Sequence, residues 1–316
     1  MSETRPFRFL AEPREIASGK SLTDAVRRAE GIGIDVLVVS DHLVNDVAPI
    51  PVMAAIAAHS DRLGICAFVL NNDLRHPAVL AQDLATLDVI SDGRLEVGIG
   101  AGWNQPEYDA IGLTFDPVGT RVARLAEAIA VLKGCFGEGP FSFMGEHYTI
   151  ADHDAQPKPV QRPHPRFFIG GGGKRVLTLA AREADTISLA PRLLPGVRGD
   201  PRSITLAATE EKIGWVREAA GDRFAQIELN IYPSMSRIIV TDNALAEGEA
   251  LAARLAERTG IEVEARELLE APNIFVGSVD TLVEKFRMLR ERLGISSVMV
   301  GGIDELAPVV ERLAGT

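Results

Sequence analysis

Short apolar runs alternate with stretches of helical periodicity along nearly the whole chain. PFRFLA at 6–11 is short and alternating, and behind it Leu22, Ala25, Val26 and Ala29 recur at i, i+3, i+4 and i+7, with Ser21 in place as an N-cap. This predicts a strand and then a helix. IDVLVVS at 34–40 is almost continuously apolar, as a strand covered on both faces must be, and 51–60 has helical character. A third strand is expected at 63–70 and a third helix at 77–90, where Leu80, Leu84, Leu87 and Ile90 share one side. Asp92-Gly93 then turns the chain into a fourth strand at 95–100. Residues 103–116 read as a long connection before a helix at 121–136, whose Val122, Leu125, Ala126, Ile129 and Leu132 fall on one face. FSFMGEHYTI at 141–150 predicts a hairpin around Gly145, and PKPVQRPHP at 157–165 an extended crossing. The alternation resumes with strands at 166–169, 186–190 and 227–233, helices at 176–184 and 204–220, and a loop at 191–201. The stretch 242–272, rich in Ala, Glu and Arg, reads as inserted helices; a helix at 279–293 and an eighth strand at 297–300, ended by Gly301-Gly302, follow it.

Eight parallel strands with outer helices predict a (β/α)8 barrel ahead of a doubly wound sheet. It is expected as a single domain over 1–316, with insertions near 103–120, 141–165 and 242–272. The length exceeds the usual domain size of about 150 residues, but α/β barrels routinely do so. With 33 Lys plus Arg against 44 Asp plus Glu the formal charge is −11, which excludes a general phosphate-backbone binder and so nucleic acid as a partner. Cys66 and Cys135 are too few for a disulfide framework and have no zinc-ligand spacing, and Cys66 falls inside an apolar strand, where a thiol behaves as a small hydrophobe. No metal site is expected. The N-terminal stretch carries Arg and Glu where a signal peptide needs an apolar run, and no uncharged apolar stretch reaches 18 residues, so a cytoplasmic protein without membrane segments is expected.

In such a barrel the chemistry sits after the C-terminal ends of the strands. Four groups stand there. Ser40-Asp41-His42 follows strand two: an imidazole can move a proton, Asp41 can orient it or hold the loop, and the plainer reading of His42 is a hydrogen-bonded loop residue. Asn71, Asn72 and Asp73 follow strand three and read first as a turn, although amides there could read a carbonyl or ring nitrogen. GIGAGWNQPEY at 98–108 follows strand four, with Gly98, Gly100 and Gly102 letting a flat ligand approach the backbone and Glu107 adding a carboxylate. It is not a dinucleotide fingerprint, because no helix opens at the glycines and no acidic ribose partner fits. IGGGGKRVL at 169–177 ends strand five in four glycines, then two cations and a helix, more than a tight turn requires. A glycine nest at a helix N-terminus binds phosphate, with Lys174 or Arg175 adding charge. A bulky residue at Gly172 is therefore expected to weaken binding more than stability.

Taken together, VVSDHL at 38–43, HPAVLAQDLATLDVISDGRLEVGIGAGWNQPEYDAIG at 76–112, PRFFIGGGGKRVLTLAAREAD at 165–185 and FVGSVDTLVEKFRML at 275–289 resemble the bacterial luciferase-like superfamily of flavin and deazaflavin barrels. The branch that the sequence is most similar to uses the deazaflavin coenzyme F420. The resemblance implies a two-electron oxidoreductase acting on a small organic molecule, with His42 facing the reacting ring and Glu107 as proton donor. It implies cofactor contacts from Asp41, Ala67, Asn71, Gly100, Gly102, Trp103, Gly171, Gly172, Gly173, Lys174 and Arg175. A non-proline cis peptide at Cys66, Ala67 or Phe68 and a homodimer as a candidate assembly also follow from it.

Two alternatives share the barrel: an FMN-dependent monooxygenase and a flavin-binding barrel without catalysis. A redox-free aldolase or isomerase would want a strand-end Lys or a carboxylate metal cluster, and the sequence shows neither.

Overall fold

The computed structural model describes residues 5–44, 47–194 and 199–316, so 195–198 of the expected 191–201 loop lie outside the described residues. Eight strands carry the fold: β1 (Arg8–Glu12), β2 (Val36–Val39), β3 (Gly64–Ala67), β4 (Leu95–Gly100), β5 (Arg166–Gly171), β6 (Thr186–Leu189), β7 (Glu228–Ile231) and β8 (Ile295–Gly302). Their order is β3-β2-β1-β8-β7-β6-β5-β4, and β3 also pairs with β4, closing an eight-stranded barrel. Helices run between the strands, as the alternation predicts. The strands read as apolar runs because nearly every residue is covered: all four of β2 and all eight of β8 are buried.

Backbone contacts group the chain into two compact units. One holds β1 and β6 to β8. In it β1 and β7 each pair in parallel with β8, and a ladder of polar side chains crosses the strands, Ser188 Oγ donating to Asn230 Oδ1 at 2.9 Å and Asn230 Nδ2 to Ser297 Oγ at 2.9 Å. The insertion at 242–272 forms α8 (Ala244–Thr259) and α9 (Ala265–Glu270), as expected, around a small core of Leu251, Leu255, Leu268 and Ile274. Lys285, on the helix Val279–Leu293, ties it down by donating to the carbonyls of Leu269, Ala271 and Ile274 at 2.6 to 2.7 Å, and burial pulls its pKa down to about 7. Periodicity missed a parallel pair, Ile239–Val240 with Val276–Gly277, because two-residue strands have none.

The other unit holds β3, β4 and most of β2 and β5. Here α3 (Pro77–Ile90) and β4 have the predicted bounds, and the antiparallel hairpin is present as Phe141–Met144 with Thr149–His153. The carboxylate of Glu127 holds the hairpin turn, accepting from the amides of Glu146, His147 and Tyr148.

Four expectations are corrected. Ser21 lies inside the first helix, Gly19–Ile32, and Ser18 is the cap, since Ser18 Oγ accepts from the Ser21 amide while Ser21 Oγ accepts from the Ser18 amide. The expected strand at 63–70 is split into β3 and Leu70–Asn71, with a cis peptide at Phe68–Val69 between them. The connection at 103–116 contains a helix, α4 (Gln105–Ile111). Gly301 and Gly302 are the last two residues of β8, paired through Glu12–Gly302, rather than lying just beyond it. Cys66 and Cys135 are both buried and neither is in a disulfide. Among the described residues no helix is long and apolar enough to cross a membrane.

Candidate active site

His42 stands three residues beyond β2, and Glu107 lies in the first turn of α4, five residues past the second residue after β4. The two meet. His42 Nδ1 is 2.9 Å from Glu107 Oε1, with the carboxylate side chain 4% exposed and the imidazole 32% exposed. Enclosure on the carboxylate side makes a hydrogen bond from Nδ1–H to Glu107 the way to satisfy that oxygen, and it leaves Nε2 as the second proton site of the ring. The Trp103 ring packs edge-on against the imidazole, with centroids 5.5 Å apart. The two residues expected to do chemistry are thus brought into one hydrogen-bonded pair.

Asp41 does different work from its neighbour. Both of its oxygens are taken by Arg75, at 2.6 and 3.0 Å, and Oδ2 also accepts from the Asn71 amide at 2.8 Å. It therefore holds the loop through a buried bidentate pair with Arg75, and the carboxylate that meets the His42 ring is Glu107. Asn71 is the turn residue that Asn-Asn-Asp suggested, capping the 3-10 turn Asn72–Leu74 by accepting from the Asp73 amide. That contact fixes the orientation of its carboxamide, and Nδ2 has no partner among the described residues.

Three further residues that carry no motif of their own complete this arrangement. Tyr108, fully buried, places its hydroxyl 2.9 Å from Asn71 Oδ1 and 3.0 Å from Asp73 Oδ2. Burial first, and then the Asp73 carboxylate, push its pKa far up, so the phenol keeps its proton. Arg121, from α5 (Val118–Phe136), donates to the carbonyls of Ala101, Gly102 and Asp116 and lies 4.0 Å over the Phe115 ring. Arg124, one turn on, pairs with Asp73 at 2.9 Å. The only sequence signal for Tyr108 was its place beside Glu107.

The glycines in and just past β4 sit against other parts of the protein. A Cβ at Gly98 would sit 1.8 Å from the Ala67 carbonyl oxygen, at Gly100 2.8 Å from Val69, and at Gly102 1.9 Å from the Tyr108 hydroxyl. On the Cβ side of these three glycines, protein atoms take up the room. Ala67 is itself 1% exposed and packed against this strand, so its side chain is closed to a ligand.

The fifth-strand loop is built otherwise. Gly171 faces Val176, and a Cβ at Gly172 would meet the carbonyl oxygens of Pro191 at 2.1 Å and Ala190 at 2.7 Å, so a bulky residue there would disturb the fold as well as any ligand. Gly173 has nothing within 4 Å of its Cβ position. It is the N-cap of α6 (Lys174–Glu183), with no side chain capping the helix, so the first-turn amides remain available. Lys174 and Arg175 are exposed; Lys174 only approaches Glu218, at 3.9 Å, and Arg175 has no partner among the described residues. An open glycine, an uncapped ten-residue helix and two exposed cations fit a phosphate group. No cluster of three metal-ligating side chains occurs among the described residues.

The family model described as luciferase-like monooxygenase matches residues 5–297. Among characterised relatives, an FMNH(2)-dependent dimethylsulfone monooxygenase of Pseudomonas putida is 32% identical over 178 residues, 56% of this chain and 46% of its own length. An F420-dependent glucose-6-phosphate dehydrogenase of Kineococcus radiotolerans is 35% identical over 185 residues, 56% of this chain and 54% of its own. The chain thus spans about half the length of these relatives. The structure of a coenzyme F420 dependent tetrahydromethanopterin reductase from Methanopyrus kandleri superposes with a TM-score of 0.74 at 20% identity, covering 98% of each chain, a likeness of fold.

Proposed function

From a chain that belongs to the luciferase-like monooxygenase family, we propose an oxidoreductase that exchanges a hydride between coenzyme F420 and a small organic substrate. The observation that carries this reading is the His42–Glu107 pair, 2.9 Å apart at the C-terminal ends of β2 and β4. Hydride exchange at carbon needs a matching proton at a heteroatom, and an imidazole backed by an enclosed carboxylate is a group that can give or take it. The deazaflavin, when bound, supplies two-electron hydride chemistry.

The residues divide the remaining tasks. His42 holds or moves the proton at Nε2, while Glu107 fixes the ring through Nδ1 and balances its charge. Trp103 offers an apolar edge beside the imidazole, and Asn71 Nδ2, without a partner among the described residues, would donate to a carbonyl or ring nitrogen. The amides at Gly173 and the first turn of α6, with Lys174 and Arg175, would hold the cofactor phosphate. Gly100, Gly102, Gly171 and Gly172 contribute backbone only, their side-chain room being taken.

Fluorescence titration of the protein with F420 and with FMN tests the reading. Tighter binding of F420 supports it. Equal or tighter binding of FMN would replace it with an FMN-dependent monooxygenase, the activity named for the Pseudomonas putida relative.

A further inference from the structure

Glu107 sits on a helix that cannot hold its own position. α4 has seven residues, no side-chain N-cap at Asn104 and a left-handed glycine, Gly112, at its end; helices this short are marginal without anchors. Its deepest anchor is the next residue, Tyr108, whose hydroxyl reaches Asn71 and Asp73 while its ring meets Phe115 edge-on at 5.0 Å. The acceptors are rigid in turn, since Asn71 Oδ1 also accepts from the Asp73 amide and Asp73 Oδ1 is held by Arg124 at 2.9 Å. The same Asn71 donates its own amide to Asp41, the neighbour of His42. One turn therefore fixes both partners of the pair, one arm running through Asp41 to His42 and the other through Tyr108 to Glu107.

We propose that Tyr108 is a positioning residue for the reaction, its hydroxyl, clamped between Asn71 and Asp73, setting the Glu107 carboxylate against His42 Nδ1. Gly102 follows from this, because any Cβ there would strike the phenol oxygen at 1.9 Å. The proposal rests on the reading of the pair as the reacting centre, but its direct consequence can be measured without cofactor. Removing the hydroxyl frees α4 to shift, and Glu107 then holds Nδ1–H less firmly.

The test is Tyr108→Phe, which removes one oxygen and keeps the ring, with Asp73→Asn as the second variant in case the first fails to fold. Nitrogen-15 NMR of the His42 imidazole in the protein without cofactor reads its tautomer. The wild type is expected to hold the Nδ1–H form, Tyr108→Phe to move toward the tautomer mixture of Glu107→Gln, and Asp73→Asn to move the same way by less. In turnover with F420, kcat should fall about 10- to 100-fold in Tyr108→Phe with KM nearly unchanged, the scale of a small misplacement. A wild-type tautomer in the folded variants, with only a lower melting temperature, would overturn the proposal. If the tautomer shifts but F420 neither binds nor turns over, the positioning role stands and the proposed cofactor falls.

Discussion

Glycines close both β4 and β5, but the protein uses them in opposite ways. Within β4 and just past it, the space beside Gly98, Gly100 and Gly102 is occupied by the Ala67 carbonyl, Val69 and the Tyr108 hydroxyl. That loop is packed solid, and its yield is the placement of one carboxylate, Glu107. After β5, Gly172 is crowded by two carbonyls, yet Gly173 opens onto free space at the head of an uncapped helix. Glycine in and just past β4 lets protein approach protein; Gly173 leaves open space at the uncapped head of α6. A glycine-rich stretch is therefore a statement about close approach, and only the neighbours say of what.

Substitutions at the two loops should separate along that line. Gly98→Ala forces a Cβ into a backbone carbonyl that cannot swing away, and it should cost about 3 kcal/mol of stability, read as a lowered urea midpoint. A midpoint within error of wild type would mean the loop has slack, and the contrast would collapse. Gly173→Val should do the reverse. Its backbone is extended at φ −103° and ψ 153°, acceptable to any residue, so stability should change by less than about 1 kcal/mol. Binding of the phosphate-bearing cofactor should weaken about 10- to 100-fold, the worth of one lost charge-assisted hydrogen bond. Unchanged affinity would move the phosphate elsewhere.

The effect spread most gradually is one of pH and tests the wall beside Gly172. Lys212, buried on α7 (Leu206–Ala220), donates to the carbonyls of Ala190 and Ser203, both at 2.6 Å. Burial, reinforced by Arg192, pulls its pKa down to about 8. An unfolded lysine keeps its proton to about pH 10.4, so between about pH 8 and 10.4 the unfolded chain binds more protons and this group makes the fold more stable as pH rises. The gain should not exceed about 1.4 kcal/mol per pH unit and should vanish in Lys212→Met. The bonds themselves should persist, since a neutral amine still has two hydrogens for two carbonyls. A falling or flat difference between wild type and variant would contradict the buried, depressed lysine.

The parts of this molecule legible from sequence are those whose signal is local. α3, β4 and the helix Val279–Leu293 have the predicted bounds because each joins a local apolar pattern to strong punctuation: Pro77 at the start of α3, Asp92-Gly93 before β4 and Gly294 after the last. α4 was invisible because seven mixed residues present no apolar face. His42 and Glu107 could be named singly from their places after strands, but nothing in the sequence joins residues 65 positions apart. The partners of Asp41, Tyr108 and Arg121 are likewise set by packing between elements. Glycines were the least specific signal, because an absent side chain carries no record of what fills its space.

The reacting centre is tested most directly by single-turnover kinetics of His42→Ala with bound F420 and substrate. The rate of hydride exchange should fall by about 10²- to 10⁴-fold, the usual loss for a positioned proton-transfer group, while melting temperature and F420 affinity stay near wild type. A rate within about threefold of wild type would leave proton transfer to another group and reduce His42 to a loop residue held by Glu107.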